Sequence, residues 1–592
     1  MIKREIPIPS PEQDTFWGSD AIAQCLRKMD IPFLALNPGA SYRGLHDSLV
    51  NHLGNESPQM LLCLHEEVAI SIAQGYAKAS GKMMGAVVHS NVGLMHATMA
   101  IFNAWCDRSP MLILGATGPW DAAKRRPWID WIHTAADQGA LVRDYTKWDN
   151  QPGSVSAAIE SLLRGSQIAQ TAPRGPVYVN LDAALQEAQL QDAPTLPDVS
   201  RYLPPKSSLA NPTDIEKSLS LINEAKKITL LFGRMSRSKD DWDRRVKLAE
   251  KLNAEVVTDL KNSAVFPTHH PQHTSSPGYF MSPDACKAVR EAELVVLFDW
   301  VDPGGAFKQA LQGAPLKAKV IHVSLDMHIH RGWSMDMGSL PAADVFMLCE
   351  PDDAVLAFLS GSNEKPKSTW PTRSSLPLAP TDDVVSLRAI ADVLQTMKRS
   401  EDLCIARLPL GWNGAYLNWT HPLDYLGADG GGGIGAGPGN AIGVGLALKE
   451  MDSKRIPMAL IGDGDFLMGN TAVWTAVRYA IPMLIVVCNN HSFFNDELHQ
   501  ERVAKERSRP VENKWIGQRI SEPEIDIAQM SSSMGAKSLG PIKRKQDLQA
   551  AFEQALIWVK AGHTCIIDAC VAPGYDANMS GQTVTNSTAH QR

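Results

Sequence analysis

Several features that define other classes of protein are missing from this sequence of 592 residues. No run of about 18 apolar residues is present, which is the length that a membrane-spanning helix needs. Residues 1–16 lack the apolar segment of a secretory signal. The nine cysteines include no C-x-x-C pair, which argues against a zinc site or a disulfide framework and suits a reducing compartment. We therefore expect a cytoplasmic protein without a membrane partner.

An excess of charge of one sign is also absent. Lys and Arg number 57 against 64 Asp and Glu, and the formal net charge is −7. This slight acidity gives no reason to expect nucleic acid or an anionic membrane as a partner. The chain is 44% hydrophobic and 20% charged, as globular proteins are, and its length predicts about three or four domains.

Strand-like and helix-like segments alternate along most of the chain. This alternation predicts an α/β fold with three doubly wound parallel-sheet domains, in which ligands bind beyond the carboxyl ends of the strands. Stretches rich in proline and polar residues serve as linkers, and the polar C-terminus is expected to be disordered, with a lid as the alternative. The predicted domains are 1–191, 213–360 and 383–572, with linkers at 192–212 and 361–382 and a tail at 573–592.

The most informative stretch runs from Pro457 to Asn490. An apolar run ends at a Gly-Asp-Gly tripeptide centred on Asp463, helical spacing follows, and a second apolar run ends just before Asn490. A right-handed crossover makes the two strands parallel and brings Asp463 and Asn490 to the same edge of the sheet. Two oxygen ligands, beside glycines that let backbone N–H groups approach at a helix start, suit a divalent cation that holds a diphosphate.

Other strand ends and one glycine-rich run also carry polar or permissive residues. The turn at residues 37–41, Glu66 and His89 each follow a predicted strand of the first domain. Residues 430–439 hold seven glycines, which let a backbone approach a flat ligand closely. A dinucleotide fingerprint can be threaded through this run, but no clear strand precedes it, which weakens that interpretation.

Three of these motifs together resemble thiamine-diphosphate-dependent enzymes. They are G-D-G followed by a helix, a strand and N-N; G-G-I-G ending at Gly435; and H-E-x-x-A-x-x-x-A-x-G-Y-A beginning at His65. The resemblance covers nearly the whole chain and implies a pyrimidine-binding, a central and a diphosphate-binding domain. It implies thiamine diphosphate and Mg²⁺ as cofactors, with the metal held by Asp463, Asn490 and the backbone carbonyl of Ser492. The implied cofactor contacts are Glu66, Gly432, Ile434, Gly462, Asp463, Gly464, Asp465, Asn490 and Ser492.

The resemblance also implies catalytic roles. Glu66 matches the carboxylate that hydrogen-bonds the pyrimidine ring, and Ile434 matches the residue that holds the cofactor bent. The His89-Ser-Asn-Val-Gly segment resembles benzoylformate decarboxylase, in which a strand-end histidine moves protons, whereas acetolactate synthases have T-S-G-P-G there. The match is incomplete, because the serine of the family's Asn-Pro-Gly-Ser turn comes one place later here. The expected substrate-pocket residues are Ala40, Ser41, His133, Asn495 and His499.

The chemistry implied by the resemblance is cleavage or formation of a carbon–carbon bond next to a carbonyl. The first interpretation is a 2-oxo-acid decarboxylase or carboligase of the benzoylformate decarboxylase and acetolactate synthase group. The alternatives are a 2-hydroxyacyl-CoA lyase that uses the tail as a lid, and a non-catalytic homologue that only binds the cofactor. The family's site is shared between the first domain of one chain and the third of another, which implies a homodimer or homotetramer acting on a small carbonyl substrate.

Overall fold

The computed structural model describes residues 2–9, 15–192, 195–207, 209–326, 339–370, 383–428 and 430–574. Each of the three predicted domains contains one parallel sheet flanked by helices, so the predicted α/β fold class is confirmed. Within these ranges, no helix is both long and apolar enough to cross a membrane. The predictions for the tail from residue 575 onward and for residues 371–382 of the second linker fall outside the described residues.

The first sheet has six parallel strands, and its two longest are completely buried because helices cover both faces. In order across the sheet the strands are Gln59–Leu62, Phe33–Leu36, Met84–Val87, Met111–Thr117, Pro176–Asp182 and Trp148–Asn150. The main helices are Gly18–Lys28, Arg43–Asp47, Glu66–Ser80, Ser90–Cys106 and Val155–Gln170. Helix Gly18–Lys28 directly follows the short strand Phe16–Trp17, which pairs antiparallel with Gln189–Leu190.

The central sheet has five parallel strands. Across the sheet they are Glu255–Val257, Ile228–Phe232, Leu294–Phe298, Lys319–Val323 and Val345–Met347. Its helices are Pro212–Glu224, Lys239–Leu252, Pro283–Glu291, Pro303–Leu311 and Pro351–Gly361. Four of the five helices have proline as their first residue, where the missing N–H costs no hydrogen bond.

The third sheet also has five parallel strands. In order they are Leu403–Ile405, Ile456–Gly462, Met483–Asn489, Thr564–Cys570 and Lys537–Ile542. The helices are Leu387–Met397, Gly437–Glu450, Asp463–Gly469, Ala472–Arg478, Phe494–Glu506, Ile527–Ser533 and Lys545–Lys560. Residues 430–436 of the glycine-rich run lie ahead of helix Gly437–Glu450. Among the described residues they do not directly follow a strand, as a dinucleotide-binding turn would.

Two helices hold the first and third domains together within one chain. Helix Glu66–Ser80 packs against helix Gly437–Glu450 so closely that glycine is needed on each side. A Cβ on Gly75 would lie 2.2 Å from the Asn440 backbone oxygen, and one on Gly443 would lie 2.0 Å from the Ile72 oxygen. One apolar core therefore runs from the first domain into the third, and this packing fixes the positions of both helix ends.

Candidate active site

Asp463 and Asn490 lie at the carboxyl ends of two neighbouring strands of the third sheet. The strands pair in parallel, so the residues that follow them leave the sheet at the same edge. The backbone N–H of Ser492 donates to both side chains, at 3.0 Å to Asp463 Oδ2 and 3.1 Å to Asn490 Oδ1. A carboxylate and an amide oxygen therefore lie close together at this edge, and such oxygen ligands suit a hard cation.

Asp463 is a buried carboxylate whose charge is poorly compensated by the described residues. It is 3% exposed, and burial raises its pKa to about 6 although backbone N–H groups, including that of Ser492, act in the opposite direction. The nearby His491 also lowers this pKa. A bound divalent cation would remove the cost of ionising this group. The residues at this edge therefore fit the Mg²⁺ that the resemblance implies.

Asp465 differs in role from Asp463, because its carboxylate accepts hydrogen bonds from the glycine-rich loop. Arg407 Nε lies 2.7 Å from Asp465 Oδ2, and the Gly435 and Gly437 N–H groups donate to Oδ1 at 2.7 Å and 3.3 Å. The predicted cofactor contact of Asp465 therefore rests on its backbone N–H in the first turn of helix Asp463–Gly469. Arg407 was not predicted; its position just after a strand was the available signal.

The glycine-rich loop forms one wall of a large cavity. Gly432 and Gly435 have φ values of +69° and +105°, a region that other residues avoid, so this turn depends on glycine. Asn103 of the first domain donates through Nδ2 to the Gly433 carbonyl at 3.3 Å and docks the loop.

The cavity has a volume of about 1800 Å³ and extends to the central domain. Nine predicted residues line it: Gly432, Ile434, Gly462, Asp463, Gly464, Asp465, Asn490, Ser492 and Asn495. Open space, glycine turns and the oxygens of Asp463 and Asn490 in the lining fit an extended organic diphosphate.

Glu66 is the first residue of helix Glu66–Ser80, and its side chain is only 7% exposed. Its neighbour His65 caps the helix, because His65 Nδ1 accepts the Glu67 N–H at 3.1 Å. Glu66 Oε2 lies 3.1 Å from Nδ1 of His96. His96 is a residue that the sequence analysis missed, and its place one turn into the helix after His89 was the only signal.

His89, Ser41 and His133 form a second polar group in the first domain. Ser41 Oγ lies 2.8 Å from His89 Nδ1, and the His89 and His133 ring centroids are 4.8 Å apart. Burial lowers the pKa of His89, and His133 lowers it further. Ala40 begins the short helical turn that carries Ser41. His89 is therefore held neutral near pH 7, with its ring fixed by a hydroxyl.

The predicted site residues do not all meet within one chain. Neither Glu66 nor His89 lines the cavity that contains Asp463 and Ile434. His499 is exposed on helix Phe494–Glu506 and does not reach that cavity. One chain thus carries two separate halves of the predicted site.

Three family models match the chain in the order of its sheets. They are the thiamine pyrophosphate enzyme N-terminal TPP binding domain at residues 16–141, the central domain at 215–343 and the C-terminal TPP binding domain at 410–569. Together they cover most of the chain.

Similar proteins of known name cover nearly its full length. A probable acetolactate synthase large subunit of Methanocaldococcus jannaschii is 24% identical over 572 residues, 90% of this chain and 89% of that protein. The mitochondrial acetolactate synthase catalytic subunit of Saccharomyces cerevisiae is 23% identical over 92% of this chain and 80% of its own.

Solved structures share the fold. The thiamine diphosphate-dependent 4-hydroxybenzoylformate decarboxylase of Rhodococcus jostii superposes with a TM-score of 0.77 at 20% identity, over 95% of this chain and 100% of its own. The benzoylformate decarboxylase of Polynucleobacter necessarius gives a TM-score of 0.76 at 19% identity, over 95% and 99%.

Proposed function

This chain belongs to the thiamine pyrophosphate enzyme family, and from that premise we propose that it is a cytoplasmic, Mg²⁺-dependent 2-oxo-acid decarboxylase or carboligase. The names of its relatives, acetolactate synthases and benzoylformate decarboxylases, support this reaction class. The observation that carries the proposal is the convergence of Asp463 and Asn490 oxygens on a cavity that Ile434 also lines.

The residues of the third domain bind and orient the cofactor. Asp463, Asn490 and the Ser492 carbonyl would hold Mg²⁺, and backbone N–H groups at Gly464 and Asp465 would contact the diphosphate. When bound, thiamine diphosphate supplies a nucleophilic carbon and an electron sink for carbon–carbon bond cleavage. The remaining chemistry, which is to orient groups and move protons, is left to the chain.

Two side chains of the first domain suit proton transfer. Glu66 would hydrogen-bond the pyrimidine ring through Oε1, which accepts no hydrogen bond from the described residues. For His89, the Ser41 backbone N–H points at Nδ1, which makes this nitrogen an acceptor and leaves the proton of the neutral ring on Nε2. His89 Nε2–H is therefore the hydrogen-bond donor that we assign to the substrate side.

We also propose that two copies of the chain complete the site. Glu66 lies outside the cavity of its own chain, and four apolar side chains close to it in sequence or on helix Ser90–Cys106 are exposed. The exposed fractions are 47% for Leu64, 39% for Val92, 52% for Met95 and 36% for Met99. A second copy that covered this surface would bring Glu66 to the partner's diphosphate-binding half, in a homodimer or a homotetramer.

A substrate panel tests the proposed reaction. The protein is loaded with thiamine diphosphate and Mg²⁺ and incubated with 2-oxo acids and, separately, with 2-hydroxyacyl-CoA esters. Cofactor-dependent CO₂ release from a 2-oxo acid supports the proposal. Cleavage of a 2-hydroxyacyl-CoA without CO₂ release would favour a lyase, and binding of the cofactor without any turnover would favour a non-catalytic homologue.

A further inference from the structure

The carboxylate of Glu66 is held at one oxygen only. His96 Nδ1 lies 3.1 Å from Oε2, and among the described residues no other hydrogen bond reaches this side chain. The Glu66 side chain is 7% exposed and that of His96 is 53% exposed. The imidazole thus contacts a buried carboxylate from its solvent side.

Gly93 lies beside the second carboxylate oxygen of Glu66, Oε1. It precedes His96 by one helical turn, and a Cβ built on Gly93 would lie 3.0 Å from Glu66 Oε1 and 3.2 Å from Cγ. The missing side chain therefore leaves room for Oε1, while His96 engages Oε2. The first turn of helix Ser90–Cys106 sets the orientation of the carboxylate from both sides.

His65 holds the ring of His96 in turn. The two rings stack with centroids 5.2 Å apart and an interplanar angle of 17°. His65 Nδ1 accepts the Glu67 N–H, and burial lowers the pKa of His65, so its neutral ring carries the proton on Nε2. That ring has no free lone pair for a metal, and the three residues are linked by one ring stack and by one hydrogen bond, between His96 and Glu66.

We propose that His96 is a positioning residue for the proposed reaction. By donating from Nδ1 to Glu66 Oε2, it turns Oε1 toward the pyrimidine nitrogen that Glu66 serves. This inference rests on the proposed function. A proton transfer depends steeply on the placement of the acid or base, so loss of the Nδ1 donor should slow cofactor activation about tenfold.

Amide substitutions at His96 distinguish the effect of the hydrogen bond to Glu66 from the effect of packing. Asparagine places its amide nitrogen where imidazole has Nδ1, whereas glutamine places it farther out. His96→Asn should therefore keep the bond, and His96→Ala and His96→Gln should lose it. Thr98→Ala is the matched control, because Thr98 lies on the same helix and, among the residues that the structure describes, its hydroxyl bonds only the Met95 carbonyl.

The readout is hydrogen–deuterium exchange at C2 of bound thiamine diphosphate, followed by NMR in the full-length protein with Mg²⁺. We expect exchange to slow about tenfold in His96→Ala and His96→Gln, with His96→Asn and Thr98→Ala within about threefold of the parent. The dissociation constant of the cofactor, from quenching of tryptophan fluorescence, should change less than about threefold in all four.

The outcomes are distinct. Exchange at the parental rate in His96→Ala overturns the proposal, and so does equally slow exchange in His96→Asn and His96→Ala, because that pattern indicates loss of packing. Glu66→Gln is run in parallel. If Glu66→Gln also exchanged at the parental rate, the role of Glu66 in the proposed function would fail, independently of His96.

Discussion

Replacing Asp463 by asparagine should make the cofactor-free protein more stable at neutral pH. Burial raises the pKa of Asp463 from 3.8 to about 6. Because this pKa is higher in the folded than in the unfolded state, the contribution of Asp463 to stability is fully present below about pH 4 and is lost as the pH rises through about 6. At about 1.4 kcal/mol for each pKa unit, ionisation of Asp463 lowers the free energy of unfolding by about 3 kcal/mol above about pH 6.

The asparagine side chain would keep an oxygen for the Ser492 N–H without the buried charge. In calorimetry at pH 8 without metal, Asp463→Asn should therefore raise the unfolding temperature of the third domain by several degrees, since about 1 kcal/mol corresponds to about 2–4 °C for a domain of this size. At pH 4 the parent and the variant should differ little. With thiamine diphosphate and Mg²⁺ at pH 8, the parent should be more stable than Asp463→Asn, because only the parent has a carboxylate that the cation can neutralise.

Asp568→Asn is the matched control. Asp568 lies on another strand of the same sheet, burial also raises its pKa, and its Oδ1 accepts the Asn489 amide at 3.0 Å. This variant should respond to Mg²⁺ and cofactor as the parent does. A metal-free Asp463→Asn protein that is less stable than the parent at pH 8, or that is stabilised by Mg²⁺ as strongly as the parent, would refute the argument.

Two further predictions concern the helix packing and the second polar group. Gly443→Ala should destabilise the chain by about 1–3 kcal/mol, because its Cβ would lie 2.0 Å from the Ile72 oxygen. The measurement is the midpoint of urea unfolding. Gly153→Ala should change this midpoint little, because a Cβ at Gly153 meets nothing within 4 Å. His133→Leu should move the acid limb of the CO₂-release profile to higher pH, because His133 helps to lower the pKa of His89; an unchanged limb would argue against His89 as the titrating group.

The sequence was most informative where function follows from local pattern. Asp463 and Asn490 could be placed together because apolar runs locate strand ends and right-handed crossovers make those strands parallel. Arg407 and His96 could not be assigned roles, because each acts on a residue of another element that is distant in sequence. The start of the first helix depends on a distant segment in the same way, since Phe16 has helical spacing but pairs with Leu190.

The sequence also only partly indicated which of the related enzymes the active-site residues resemble. The serine shifted to Ser41 looked like a departure from the decarboxylase pattern, yet its hydroxyl reaches His89 Nδ1 at 2.8 Å. Turn geometry decides this contact, and a Cβ on Gly39 would lie 2.1 Å from the His89 ring. A serine that is shifted by one position in this turn can therefore still contact the histidine at the strand end.

Mixing two inactive variants tests the central claim most directly, namely that Glu66 of one copy and Asp463 of another form one thiamine-diphosphate site. Glu66→Gln and Asp463→Asn are each expected to release almost no CO₂ from the substrate found in the panel. After dissociation and reassembly at equal amounts, half of the dimers are hybrids with one intact site, so about a quarter of the parental activity should return. If the reassembled hybrid stayed as inactive as its parents, the two residues would not share a site across copies and the account would be wrong.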